Sequence, residues 1–234
     1  MRILAVDWSG NASRAAARKC IWIAEARDGR LCRLEGGRDR DETMEFLLAE
    51  AERDPELVVG LDFAFGLPAW FARARRATTG REVWELVARE GESWLRDPQP
   101  PFWRARKPSF EQTEFRRTEL DVTGTRLHPK SVFQLGGAGH VGTASLRGMP
   151  YLQGLTRRYS IWPFDPPQLP LVVEIYPRLF AAGGWPEAPN EHARDAAAAA
   201  LAMSRWDGDW RQLLRRDRYL LEGQIWAPRA SSAV

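Results

Sequence analysis

The sequence predicts an α/β fold built on a mixed sheet, and three observations predict it. Short apolar runs bounded by turn residues occur at Met1 to Val6, Leu57 to Phe63 and Leu169 to Tyr176, as buried strands require. An Asp28-Gly29 pair between Lys19 to Ala26 and Leu31 to Leu34 signals a hairpin. Helical periodicity separates these runs, so the fourth strand returns after a crossover.

Taken in order, Met1 to Val6 forms the first strand and ends at Asp7-Trp8-Ser9-Gly10, a turn. The hairpin strands complete an antiparallel meander. From Asp41 to Asp54 the apolar residues Met44, Leu47, Leu48 and Ala51 fall on one helix face, with Asp41 or Thr43 as cap and Pro55 as stop. Leu57 to Phe63 is the fourth strand. Ala69 to Leu95 reads as helical until Pro98, Pro100 and Pro101 end regular structure. The chain is then irregular to about Phe164, with short helical pieces near Gln112 to Leu120 and Thr143 to Arg157. Leu169 to Tyr176 is a further buried strand. Asn190 caps a helix from Glu191 to Trp206, whose alanine run (Ala196 to Ala200) suits close packing on a sheet. The reading is one domain over residues 1–228, an inserted segment over 69–168 and a flexible tail over 229–234.

Composition narrows the function. Of 234 residues 44% are hydrophobic, which fits a folded soluble chain. The longest apolar run, Ala196 to Met203, is eight residues, well short of the roughly 20 a bilayer requires. Asp7 interrupts the first apolar stretch, which argues against a secretory leader. Cys20 and Cys32 provide neither a disulfide framework nor metal-ligand spacing and read as buried thiols in a reducing cytoplasm. No GxSxG, HExxH, GxxxxGK[ST] or CxxC pattern occurs.

Three strands carry an acid at or near the carboxyl end (Asp7, Asp62 and Glu174), and Asp195 lies early in the following helix. A charge inside an apolar strand needs compensation, and ligands of such sheets sit at the carboxyl ends of the strands. Converging carboxylates repel unless arginines or divalent cations neutralise them, so these acids form the candidate catalytic set. Glu191 and Asp195, near a helix amino end, are expected to titrate low. His192, three residues before Asp195, is either an acid–base group, an outer partner or an ordinary polar helix position.

The motifs VDWSG (6–10), LDFAFGLP (61–68), VFQLGGAGHVGTASLRG (132–148), VEIYPR (173–178), RDAAAAALA (194–202) and EGQIWAP (222–228) together resemble those of the predicted RNase H-like nuclease family catalogued as domain-of-unknown-function family 429. The resemblance spans Met1 to about Pro228. It implies an RNase H-like fold and phosphodiester hydrolysis of nucleic acid with Mg²⁺ or Mn²⁺. By the same resemblance Asp7, Asp62 and Asp195 would be metal ligands and Glu174 a supporting acid. The motifs single out none of the glutamates of the first long helix (Glu42, Glu45, Glu50 and Glu52), which read as a solvated face.

Charge is unevenly spread. Residues 101–164 carry a net +6 and the remainder −3, and residues 122–164 contain no acid at all. Lys130, Arg104, Arg106, Lys107 and Arg147, with Ser9 of the first motif, are the candidate substrate contacts. Phe102, Trp103, Tyr151, Tyr159 and Trp162 lie among these charges, either to stack on bases or to pack beneath a long loop. The run Gly137 to Gly142 matches GxGxxG but sits too late for a dinucleotide fingerprint and suits a phosphate nest better. Two rival readings stand beside a nuclease: an ATP-binding phosphotransferase of the same superfold, and a non-catalytic module that binds nucleic acid or protein.

Overall fold

The computed structural model describes residues 1–104, 111–122, 130–137, 141–183 and 186–228. A six-stranded mixed sheet forms its centre, in the order β3-β2-β1-β4-β6-β5. Strands β1 (Arg2–Asp7), β2 (Trp22–Arg27) and β3 (Arg30–Gly36) make the antiparallel meander, and Asp28 (φ 49°) and Gly29 (φ 73°) make the tight hairpin. β4 (Val58–Leu61) runs parallel to β1, and β6 (Leu171–Glu174) runs parallel to β4.

Several local details differ from expectation. A helix α1 (Arg14–Cys20) intervenes between β1 and β2, because Ser13 accepts from the Ala16 N–H and three alanines follow. Helix α2 (Arg40–Arg53) is capped by Asp39 in a capping box with Glu42, rather than by Asp41 or Thr43. The stretch from Ala69 is two helices, α3 (Ala69–Ala74) and α4 (Gly80–Arg96), since Arg76 turns to φ 63° and Thr79 starts a new cap with Glu82. By contrast, α5 (Arg117–Asp121) and α6 (Gly142–Leu155) form where helical pieces were expected, near Gln112 to Leu120 and Thr143 to Arg157. β5 (Ser160–Ile161) adds a two-residue edge strand beside β6, so the segment between β4 and β6 also contributes to the sheet. Neither cysteine is buried: Cys32 lies exposed on the edge strand β3, and Cys20 is half-buried at the end of α1.

Strand alternation splits the core in two. Leu4, Val6, Val59 and Leu61 face one layer, with Leu47 of α2, Trp84 of α4 and Leu152 of α6. Ile3, Ala5, Ala24, Ala26, Val58 and Val173 face the other, against α7 (Glu191–Arg205). Small residues on both sides draw α7 close. At Gly60 an added Cβ would lie 2.7 Å from Met203 Sδ and 2.8 Å from Ile175 Cγ2, so glycine lets the helix pack there without displacing those side chains. The close packing fixes where the amino end of α7 lies against β1. No helix among the described residues is long and apolar enough to cross a membrane.

Candidate active site

The parallel register aligns the strand ends. Val6 pairs with Leu61 and Leu61 with Glu174, so Asp7, Asp62 and Glu174 emerge along one edge of the sheet. The Asp62 N–H donates to the Val6 carbonyl (3.0 Å), which extends the β1–β4 pairing one residue beyond β4. Trp8 and Phe63, the next residues on each strand, pack with ring centroids 5.1 Å apart and fix the two ends together.

The carboxyl groups of Asp7 and Asp62 meet within hydrogen-bonding reach. Asn190 caps α7 by accepting from the Ala193 N–H, and this brings His192 and Asp195 to the same place. His192 Nδ1 lies 2.7 Å from Asp7 Oδ2. Burial raises Asp7, and the His192 contact opposes the rise. Asp62 is raised well above the usual carboxylate range, first by burial and then by the charges of Asp7 and Asp195. Asp195 is pushed up to about 6 by burial and by Asp7, contrary to the low value expected at a helix amino end. Desolvation and a neighbouring carboxylate outweigh the helix dipole here. The Asp7 contact, in turn, raises His192.

Glu174 behaves differently. Its Oε2 accepts from Arg116 Nη1 and from the Phe65 N–H (both 2.9 Å), and its Oε1 accepts from Arg116 Nη2. Arg116 is itself fully buried and also holds Glu119. Glu174 is thus neutralised by an arginine, while among the described residues Asp7 and Asp62 have His192 and each other.

These acids differ in fitness for a cation. Asp195 Oδ1 is buried without a hydrogen-bond partner, and Arg194 Nε lies 3.9 Å from it. Among the described residues no three His, Cys, Asp or Glu side chains are already gathered as a metal-holding group. Asp7, Asp62 and Asp195 nevertheless form a set of hard oxygen donors that repel one another, which is the donor chemistry Mg²⁺ and Mn²⁺ accept. Their donor chemistry suits such an ion, whereas Glu174 is taken up by Arg116.

Two cavities flank the acids. The larger, about 590 Å³, is lined by Ser9, Arg104, Arg147 and His192. Three of the expected substrate contacts therefore share one cavity with the histidine on Asp7. Arg147 bonds Glu92 and the Gly10 carbonyl, and Arg104 bonds the Leu95 carbonyl. Ser9 is buried, its Oγ accepting from Asn11 Nδ2 (2.9 Å). The smaller cavity, about 140 Å³, is lined by Asp62, Glu174, Lys130, Trp8 and Tyr176 among others. Arg106 and Lys107 lie outside the described residues, as do residues 138–140 of the glycine-rich run. Gly142, the last residue of that run, opens α6.

The interleaved aromatics resolve toward packing. Phe102, Trp103, Tyr159 and Trp162 are buried in the two cores, and Tyr151 packs on Trp8 while its hydroxyl bonds Asp41. Sequence reasoning did not single out Arg116 as the partner of Glu174, nor Trp8 and Tyr176 as cavity walls. Both aromatics stand within two residues of a strand-end acid, a signal that was there to use. Compared with known proteins, the chain matches no family model, no curated protein and no solved structure.

Proposed function

We propose that this chain is a divalent-metal-dependent phosphodiesterase acting on nucleic acid, built on an RNase H-like sheet. The meander followed by parallel strands, with acids at the carboxyl ends of β1 and β4 and on the helix that crosses them, supports the finer fold assignment. The observation that carries the functional reading is the Asp7–Asp62–Asp195 cluster. Asp7 is buried and Asp62 and Asp195 are half-buried, no arginine among the described residues is paired with Asp7 or Asp62, and His192 on Asp7 lines a cavity with Arg104 and Arg147. A protein that needed these acids only for structure would pair them, as it pairs Glu174.

In this reading Asp7, Asp62 and Asp195 would hold the Mg²⁺ or Mn²⁺. The chemistry such an ion supplies is activation of water near neutral pH and relief of negative charge at phosphorus. The chain contributes the rest. Arg104 and Arg147 favour a polyanion in the larger cavity, while Lys130 adds a cation to the smaller cavity that Asp62 lines. His192 orients Asp7 through Nδ1 and lines the larger cavity. Trp8 and Phe63 hold the two strand ends at a fixed separation.

The test is a cleavage assay on single- and double-stranded DNA and RNA with Mg²⁺ or Mn²⁺, run on wild type, Asp7→Asn and Asp62→Asn. Metal-dependent cleavage that falls by at least about 10³-fold in both variants is the expected result, the scale on which removing one charge-stabilising group acts. Binding of nucleic acid without cleavage would overturn the enzyme and leave a binding module.

A further inference from the structure

The exposed face of α3 combines an aromatic ring with uncompensated arginines. Trp70 is 45% exposed, the one aromatic among the exposed large hydrophobic side chains of the described residues. Phe71 and Phe133 back the indole, with ring centroids 5.7 and 5.9 Å away, and its Nε1 donates to the Thr113 carbonyl (2.6 Å). The ring is held in place with part of its surface in water, so it loses little side-chain entropy on stacking against a ligand.

Arg73 follows three residues later on the same helix face, Arg75 caps the carboxyl end, and Arg76 comes next. Arg73 and Arg76 are exposed and form no ion pair among the described residues. The Arg75 guanidinium lies 3.6 Å from the centre of the Phe71 ring and 5.6 Å from that of Trp94. Burial opposes its charge, and the charge of Glu90 does not make up the loss. Guanidinium groups left in this state favour an anion, and their planar N–H forks match phosphate.

This face is fastened to the acid end of the sheet. The Glu222 carboxylate accepts from the Ala69 N–H (2.5 Å) at the start of α3 and from the Arg117 N–H (2.6 Å) at the start of α5. Arg116, the preceding residue, holds Glu174 and lines the smaller cavity together with Asp62. Trp70 is eight residues beyond Asp62, so their Cα atoms are at most about 29 Å apart. A strand rising about 3.4 Å per nucleotide covers that distance in about nine nucleotides.

We propose that the face formed by Trp70, Arg73 and Arg76 is a docking surface for single-stranded nucleic acid, on which one base stacks against the indole while the arginines take the flanking phosphates. That it guides the strand toward the acids rests on the nuclease reading; the docking itself does not. In a duplex the bases are already stacked on one another, which leaves none for the indole. An anionic membrane is the competing occupant for tryptophan beside arginine. Against it, an interfacial helix needs a broad apolar face, whereas α3 turns Phe71 into the core and leaves Trp70 alone among charges.

The test is fluorescence anisotropy of a labelled oligothymidylate of about 16 nucleotides and of an abasic strand of equal length, at about 50 mM salt without divalent ions. Wild type, Trp70→Ala, Trp70→Phe and the double variant Arg73→Gln/Arg76→Gln are compared, with thermal melts as the control for folding. Trp70→Ala should weaken oligothymidylate binding at least about fivefold and leave abasic binding nearly unchanged, while Trp70→Phe retains most of the affinity. The arginine variant should reduce the slope of log Kd against log salt by about 1.4, at about 0.7 per phosphate contact. If Trp70→Ala fails to fold, the arginine variant decides. Wild-type affinity and salt slope in the folded variants, an equal loss for both strands in Trp70→Ala, or tighter binding to phosphatidylserine vesicles than to oligothymidylate overturns the proposal. In a second arm Mn²⁺ is added. Docking through this face with no cleavage of any strand supports the surface and overturns the nuclease. Cleavage by wild type that is unaltered in the folded variants at subsaturating strand overturns the surface while the nuclease stands.

Discussion

The two ends of β1 adjoin clusters of acids in opposite electrostatic states. At the amino end, Arg2 sits between Glu25 and Glu50, with Arg27 and Arg33 on Glu25 and Arg53 on Glu50. Burial alone would raise the Glu25 carboxyl, but hydrogen bonds from Arg2 and Arg27 outweigh it and hold the group low. At the carboxyl end, the same strand presents Asp7 to Asp62 and Asp195, and all three are raised. One end is compensated and favours the fold. The other is left in repulsion, a condition that opposes folding and persists where a ligand relieves it. Glu174, one strand further on, belongs with the compensated group through Arg116.

The contrast is easiest to break at its compensated members. Arg116→Met leaves Glu119 and Glu174 buried without their cation, and chemical denaturation should register a loss of about 3–5 kcal/mol. A loss under about 1 kcal/mol would mean that the arginine is not what neutralises these acids. Asp62→Asn acts in the opposite direction. It removes the repulsion and should raise stability by about 1 kcal/mol at pH 7.5, measured the same way in the absence of divalent ions.

Asp195 sharpens the comparison through pH. Its folded value of about 6 is above the ordinary aspartate value, so the folded state holds this proton more tightly than the unfolded state. The destabilising charge is therefore absent at pH 4, develops as pH rises through about 6 and is complete by pH 7.5. The melting temperature of wild type should fall relative to Asp195→Asn across that interval, by the equivalent of about 1–2 kcal/mol. A constant difference between the two proteins would contradict the placement of Asp195 beside Asp7. The smallest effect belongs to the exposed rim of the compensated end. Arg53→Ala removes an exposed partner of Glu50 that Arg2 already neutralises, and its cost should stay below about 0.5 kcal/mol.

Much of this arrangement was legible in the sequence because it rests on short-range signals. The apolar runs of β1, β4 and β6, the Asp28-Gly29 turn and the Asn190 cap are each encoded within a few residues. So is the position of Asp7, Asp62 and Glu174 at strand ends. What escaped depends on distance along the chain. Glu174 reaches Arg116 across 58 residues, and no local pattern tells a strand-end acid with an arginine from one without. Glu50 reads as solvated on its helix, yet it is buried because β1 presents Arg2 to it. The Asp7–His192 contact spans 185 residues and exists only because small side chains bring α7 close to the sheet. β5 contributes two residues, too few to carry a period.

The central claim is that the Asp7–Asp62–Asp195 cluster is left only partly compensated, by His192 and Arg194, in order to receive a cation. The direct measurement is a thermal melt of wild type and Asp62→Asn, each with and without MnCl₂. Wild type should start less stable than the variant and rise on adding the ion, whereas the variant should respond little. A variant that starts less stable than wild type, together with no response to Mn²⁺ in either protein, would show that these acids serve the fold alone.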